Sequence, residues 1–399
     1  MKQTLLATVF FWIISWCSAA MLVGSAGYPT PTYGANNSTL NTVLPLAMQG
    51  YKTRFIDAYT TGLVHDPSQV VAGVPSAAVS EGSGYGLLIF LWSNQSTYFD
   101  TLWRNVKAKQ QNADKLFSWL NDQTGAAVST TSATDADEDI ALALVFADRL
   151  KSYGYAGWST STVNYGGEAM AIINAIYENE ISGNYVLPDN YKTAKWNASY
   201  FSPATYRIFA EFENSATHNW KAVIDQNYAL LSLQRGAAKG LAPDWCSLDG
   251  VTSDYNPTGM QFGYDAIRVP YRLALDSMWY SETRAQSFLN TAMAWLNPTQ
   301  ATLYALDGST VVPSNNAFHN ELTIGMWAAG AWGSTSASAR IAFLSEVQTQ
   351  ILTPTQDFFG SWLGGKNMYY NQSLGWLGTA VMNGSAVNVF SDLSRPPRV

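Results

Sequence analysis

Apolar residues along this chain recur at spacings of three and four far more often than they alternate. Leu44, Leu46, Ala47, Tyr51, Phe55 and Ile56 keep helical spacing, and so do Leu87, Phe90, Leu91 and Leu102. Ile140, Leu144 and Ala147 share one helical face, and Ala169, Ile172, Ile173 and Ile176 share another. Runs of the same period follow at 203–212, 220–233, 270–280, 284–296, 321–331, 339–351 and 371–382. These predict roughly a dozen helices joined by Gly, Pro and Asn loops. No fixed-period repeat is visible, which disfavours a solenoid. Periodicity alone therefore gives an all-α protein.

The first residues follow a different pattern. Lys2 precedes an apolar stretch over 5–24 that contains Phe10, Phe11, Trp12, Ile13 and Ile14. Small residues then offer cleavage after Ala20 or after Ala26, so 1–26 is predicted to be a signal peptide. An uncleaved anchor is the alternative, since about 20 apolar residues just span a bilayer. Trp16 directly before Cys17 does not suit a lipoprotein signal. Residues 27–39, including YPTPTYGANNST, are predicted to be a linker, and 40–395 a single domain. The predicted product is secreted or periplasmic, monomeric and free of the membrane once its signal is removed.

Composition narrows the partners. Charged residues are 13% of the chain, about half of the usual ~25%. A net charge of −7 argues against nucleic acid, whose phosphates require a basic stripe. Aromatics reach 14% with 15 Trp, enough to fill a helical core and leave some to line a cleft. Cys17 and Cys246 are the only cysteines, and Cys17 leaves with the signal, which excludes a disulfide framework. Asn37, Asn197, Asn371 and Asn383 each begin a glycosylation sequon.

Three acidic motifs are more specific. Glu81 lies in SEGSGYG, with Tyr85 close behind and a helix predicted to begin near Gly84. Asp135, Asp137 and Asp139 lie in SATDADEDIALAL, where Thr134 or Asp135 is a natural helix cap. An EF-hand loop starting at Asp135 fails, because Ile140 and Phe146 occupy the positions that require Gly and Glu. Asp265 lies in FGYDAIRVPYR, three residues before Arg268, and Pro270 suits the first turn of the next helix. A surface Asp–Arg pair would explain Asp265 and Arg268 equally well on local grounds. His65, His218 and His319 are scattered, with no HExxH to suggest zinc, and no GxSxG or phosphate-binding loop is present. No metal or cofactor is predicted.

These motifs, in this order, resemble glycoside hydrolase family 8, whose pattern includes Ser-Glu-Gly-x-x-Tyr-Gly and Ala-Ser/Thr-Asp-Ala/Gly-Asp. The resemblance runs from about Tyr51 to about Leu393. It implies an (α/α)6 barrel and an inverting glycosidase in which Glu81 is the acid, Asp265 the base and Asp135 the contact to the sugar at the cleavage point. It leaves Asp137 and Asp139 with structural roles. It also implies substrate contacts from Trp119, Tyr200, Arg268, Tyr369 and Tyr370, with Arg268 keeping Asp265 ionised. A β-1,4-linked polysaccharide, first of all cellulose or another β-glucan, is the implied substrate. Xylan, mixed-linkage glucan and chitosan are alternatives within the family. A non-catalytic glycan-binding protein on the same barrel would keep the aromatic residues but lose a motif acid.

Overall fold

Helices that are apolar on all sides alternate along this chain with helices that carry one apolar stripe, and that alternation builds two concentric layers. The computed structural model describes residues 21–25, 28–29, 33–249, 261–310, 318–352, 356–360 and 365–393. Among them are twelve helices of ten or more residues. These are α1 (Ser38–Lys52), α2 (Ser80–Trp92), α3 (Ser96–Lys109), α4 (Thr134–Ser152), α5 (Tyr165–Glu180) and α6 (Pro203–Glu213). The second half holds α7 (Trp220–Leu233), α8 (Val269–Tyr280), α9 (Thr283–Met293), α10 (Glu321–Gly333), α11 (Ala337–Glu346) and α12 (Tyr369–Asn383).

The even-numbered helices form a closed inner ring: α2 packs on α4, and the contacts pass through α6, α8, α10 and α12 back to α2. Each odd-numbered helix covers the outside, α3 on α2, α5 on α4, α7 on α6, α9 on α8, α11 on α10 and α1 on α12. This is an (α/α)6 barrel. In α2 every residue except Glu81 is buried, as a helix surrounded by others requires. The outer helix α3 buries only Phe99, Leu102, Trp103 and Val106, a single stripe. Inner helices meet at glycines. A Cβ on Gly378 of α12 would stand 2.3 Å from the carbonyl oxygen of Gly325 in α10.

The helices predicted from periodicity lie close to the observed ones, and 220–233 coincides with α7. α2 differs, starting at Ser80 and not near Gly84. A small ribbon of Ala78–Val79, Leu120–Asn121 and Ala127–Ser129 delivers an extended Val79 straight into the helix. The glycines of SEGSGYG therefore sit inside α2, where Gly84 lets α4 approach: a Cβ there would lie 2.9 Å from that of Asp139.

Of the predicted linker, 28–29 and 33–39 are described, and they pack as part of the fold. Tyr28 is buried and its hydroxyl bonds to Asp392 at 3.0 Å. The N–H of Ala35 donates to the carbonyl of Met382, and Asn37 caps α1 through the N–H groups of Thr39 and Leu40. Of the predicted signal, 1–20 and 26 lie outside the described residues, but Met21 and Leu22 are buried, and the Leu22 N–H donates to the Trp92 carbonyl. Asn197, Asn371 and Asn383 are buried too, so three of the four sequons named above are closed to a glycan in the folded protein. Cys246 is a buried free thiol.

Candidate active site

Because every inner helix is followed by an outer one that returns the chain, the inner helices run in the same direction. Their N-termini collect on one rim. Glu81 and Asp135 are the second residues of α2 and α4, Tyr200 lies in the turn before α6, Asp265 and Arg268 directly precede α8, and Tyr369 and Tyr370 open α12. Helix N-termini carry partial positive charge, which favours carboxylates there.

Arg268 joins them. Its Nη1 donates to Glu81 Oε2 at 2.6 Å, to Asp135 Oδ2 and to the Tyr85 hydroxyl at 3.1 Å. Its Nη2 donates to Asp265 Oδ1 at 2.9 Å, and the guanidinium lies 5.6 Å from the ring of Tyr200. One cation thus serves three carboxylates from three elements. The Arg268 side chain is only 2% exposed, and its guanidinium is taken up by the carboxylates. Glu81 and Asp265 are 19% and 34% exposed and reach the cleft; Asp135 is nearly enclosed at 2%.

The acid and base candidates differ in surroundings. Glu81 Oε1 accepts from the Tyr369 hydroxyl at 2.8 Å, and that hydroxyl can equally accept a proton-bearing Glu81. Desolvation pushes the Glu81 carboxyl up to about 7; Arg268 opposes the rise and the charge of Asp135 adds to it. Asp265 Oδ2 accepts from the Trp245 indole at 2.9 Å. Arg268 pulls the Asp265 carboxyl down, as the sequence implied, and Trp245 and Asn197 also hydrogen-bond it, but desolvation outweighs them and its value lies above the ordinary one.

Trp119, Tyr200, Tyr369 and Tyr370 line a cavity of ≈ 250 Å³ together with Glu81, Asp135, Asp66 and Gln69. Trp119 is half-buried, and its carbonyl accepts from Ser80 N–H, which ties it to the start of α2. The Tyr370 hydroxyl donates to the Tyr264 carbonyl at 2.5 Å, and past it a second cavity of ≈ 320 Å³ opens between Tyr264, Phe318, Asn320 and Glu321. All eight site residues named from the sequence therefore meet on this rim.

The other acids of α4 point away from the cleft. Asp139 forms a two-pronged pair with Arg272 at 2.5 and 2.9 Å, and Glu138 accepts from Ser202 at 2.5 Å and from Tyr206. Asp137 accepts from the Phe117 N–H at 2.9 Å and meets Glu180, which accepts from Ser132 at 2.6 Å. Sequence reasoning missed Asn197, which looked like a glycan acceptor, and Asp66 and Gln69, which have no local signature. Trp245 had one hint, the Pro-Asp-Trp run at 243–245. Among the described residues no group of three or more His, Cys, Asp or Glu is arranged to hold a metal ion.

Comparison with known proteins adds lineage to this geometry. The profile described as "Glycosyl hydrolases family 8" matches residues 32–382. The chain is 31% identical to "Endoglucanase A" of Acetivibrio thermocellus, over 95% of this chain and 78% of that protein. It is 32% identical to "Endoglucanase 2" of Ruminiclostridium josui, over 85% of this chain and 73% of that protein. Among solved structures, the apo β-1,3-1,4-glucanase from Paenibacillus sp. X4 superposes with a TM-score of 0.73 at 22% identity, covering 90% of this chain and 96% of that one. At that identity the superposition speaks for the barrel; the profile and the curated relatives speak for descent. The chain belongs to glycoside hydrolase family 8 and is a glycoside hydrolase on that family's (α/α)6 barrel.

Proposed function

We propose that this enzyme is an endo-acting, inverting β-1,4-glucanase. The observation that carries the reading is the unequal pair on one guanidinium: Glu81 on Nη1 and Asp265 on Nη2 of Arg268. Glu81, pushed up to about 7, holds a proton for the glycosidic oxygen. Asp265, oriented by Trp245 and Arg268, takes a proton from the attacking water. Asp135 accepts a hydroxyl of the sugar at the cleavage point and favours its distortion toward an oxocarbenium-like transition state. Trp119 and the tyrosines supply stacking faces for neighbouring sugars. Cavities on the Trp119 side and on the Tyr264 side of the carboxylates support cleavage within a chain rather than at its end.

Cellulose-type β-glucan is favoured because the curated relatives above are named endoglucanases. A neutral glucan is also favoured over chitosan because Asp265 stands in the GYDA motif, where the glucanase-like branch of the family carries its base. Release of reducing ends is to be measured on carboxymethylcellulose, barley β-glucan, xylan and chitosan. Glucan cleavage that disappears in Glu81→Gln is expected, with the α-anomer formed first by proton NMR. Faster chitosan cleavage, or a β-anomer first, overturns the reading. We propose that the enzyme is exported as a monomer and cut after Ala20, since a cut after Ala26 removes the buried Leu22. N-terminal sequencing of the secreted enzyme decides between the two sites.

A further inference from the structure

The turn that carries Asp265 is built around another side chain. Oδ1 of Asp244 accepts the N–H of Gly263 at 3.0 Å, of Asp265 at 3.1 Å and of Ala266 at 2.7 Å. These three donors belong to the bend that leads into α8, where no regular helix or strand satisfies them. The approach is close enough to dictate the residue at 263: a Cβ there would lie 2.1 Å from Asp244 Oδ2. The neighbour of Asp244 completes the grip, because the Trp245 indole donates to Oδ2 of Asp265 at 2.9 Å. The Asp244-Trp245 pair therefore holds the backbone of Asp265 with one side chain and its carboxyl with the next. The pair is itself anchored, since Asp244 N–H donates to the Gln261 carbonyl and Cys246 pairs with Trp196 in a short antiparallel ladder.

We propose that Asp244 is the positioning residue for the base: through the 263–266 backbone it sets where the Asp265 carboxyl stands in the cleft. The inference rests on Asp265 being the base. Asp244 does not line the cleft cavities described above and acts through Asp265 alone. A misplacement of about 1 Å in a reacting group can cost ~10²-fold in rate, so a turn held by three hydrogen bonds to one oxygen has kinetic weight. Burial and the charge of Asp265 push the Asp244 carboxyl up. An uncharged side chain that keeps one acceptor oxygen should therefore hold the turn as well as Asp244 does.

Three single variants of the full enzyme test this. Asp244→Asn keeps an oxygen for the three N–H groups. Asp244→Ala removes it, and Gly263→Ala displaces it by the predicted clash. The expected result is near wild-type kcat in Asp244→Asn, and kcat lowered on the order of 10²-fold with KM unchanged in the other two. Combining Asp244→Ala with Gly263→Ala should cost little more than either alone. The Trp245 indole proton resonance, assigned with Trp245→Phe, reads the same grip without activity: it should move in the two Ala variants and stay in Asp244→Asn. Wild-type kcat in Asp244→Ala with an unmoved resonance overturns the proposal, as does Asp244→Asn behaving like Asp244→Ala. If an Ala variant does not fold, the other and Asp244→Asn decide. An inactive wild-type enzyme would instead sink the functional reading, while the indole resonance would still judge Asp244.

Discussion

Two buried carboxyl clusters flank the first turn of α4, and they differ by one cation. On the cleft side, Asp135 shares Arg268 with Glu81 and Asp265. On the far side, Asp137 meets Glu180, with Ser132 and the Phe117 N–H as the other partners shown and no cation among them. Burial raises both Asp137 and Glu180; Glu180 adds to the rise at Asp137, while the hydrogen bond with Asp137 opposes it at Glu180. The Asp137 Oδ2 and Glu180 Oε2 atoms find no other donor, as fits a single proton held between them. The same residue type two positions apart thus either pairs with an arginine or meets a second carboxyl. An arginine makes the difference. Arg272 repeats the arrangement one turn deeper with Asp139, where the pair is fully enclosed and serves to fix α8 against α4.

The largest effect expected from breaking the comparison is on the cleft side. Glu81→Gln removes the transferable proton and should lower kcat by ~10²–10⁴-fold or more with the melting temperature nearly unchanged. In the wild type, kcat/KM should fall as pH rises through about 7, the value to which Glu81 is pushed, because the acid form is lost there. A flat profile across that range would deny Glu81 the acid's role. Next in size is Arg268→Met, which leaves three carboxylates without their cation. We expect kcat to fall on the order of 10²-fold, as the acids lose their common anchor, and stability to fall by about 3–5 kcal/mol at neutral pH. Part of that loss should return as pH drops and the carboxyls protonate, which thermal melts against pH would detect.

Trp119→Ala tests the cleft wall and not the charges. Trp119 is half-buried and lines the cavity, so KM should rise by roughly two- to twelvefold, corresponding to a stacking contribution of ~0.5–1.5 kcal/mol. A sharp drop in melting temperature with unchanged KM would make it a core residue instead. The smallest effect is expected from Glu180→Gln. A carboxyl raised in the folded state makes stability decline with pH from the ordinary glutamate value up to the folded value, since the unfolded chain loses its proton first. Glu180→Gln should flatten that decline and leave kcat unchanged. A large loss of activity would mean that the far cluster reaches the cleft after all.

Much of this was legible along the chain. Helical periodicity located the long helices, and the three motifs supplied Glu81, Asp135 and Asp265 because their neighbours fall inside short, distinctive strings. Arg268 was found only through its place in the third motif, and its service to all three acids was invisible. Glu81 and Arg268 are 187 residues apart, and nothing local records that they touch. Asn197 was missed for the same reason. The described part of the predicted linker packs against the fold, which the sequence did not show, because Pro, Asn and Thr mark irregular backbone whether that backbone is free or packed.

By itself, then, the sequence determined the helices, and its motifs, through their resemblance to family 8, pointed to the acids. The helices follow from spacing within a few residues, where side-chain period acts directly. Only the tertiary structure decided which carboxyls share an arginine and which meet another carboxyl. That depends on desolvation and on which cation stands within hydrogen-bonding reach, and both are set when the ring closes and six helix N-termini arrive on one rim.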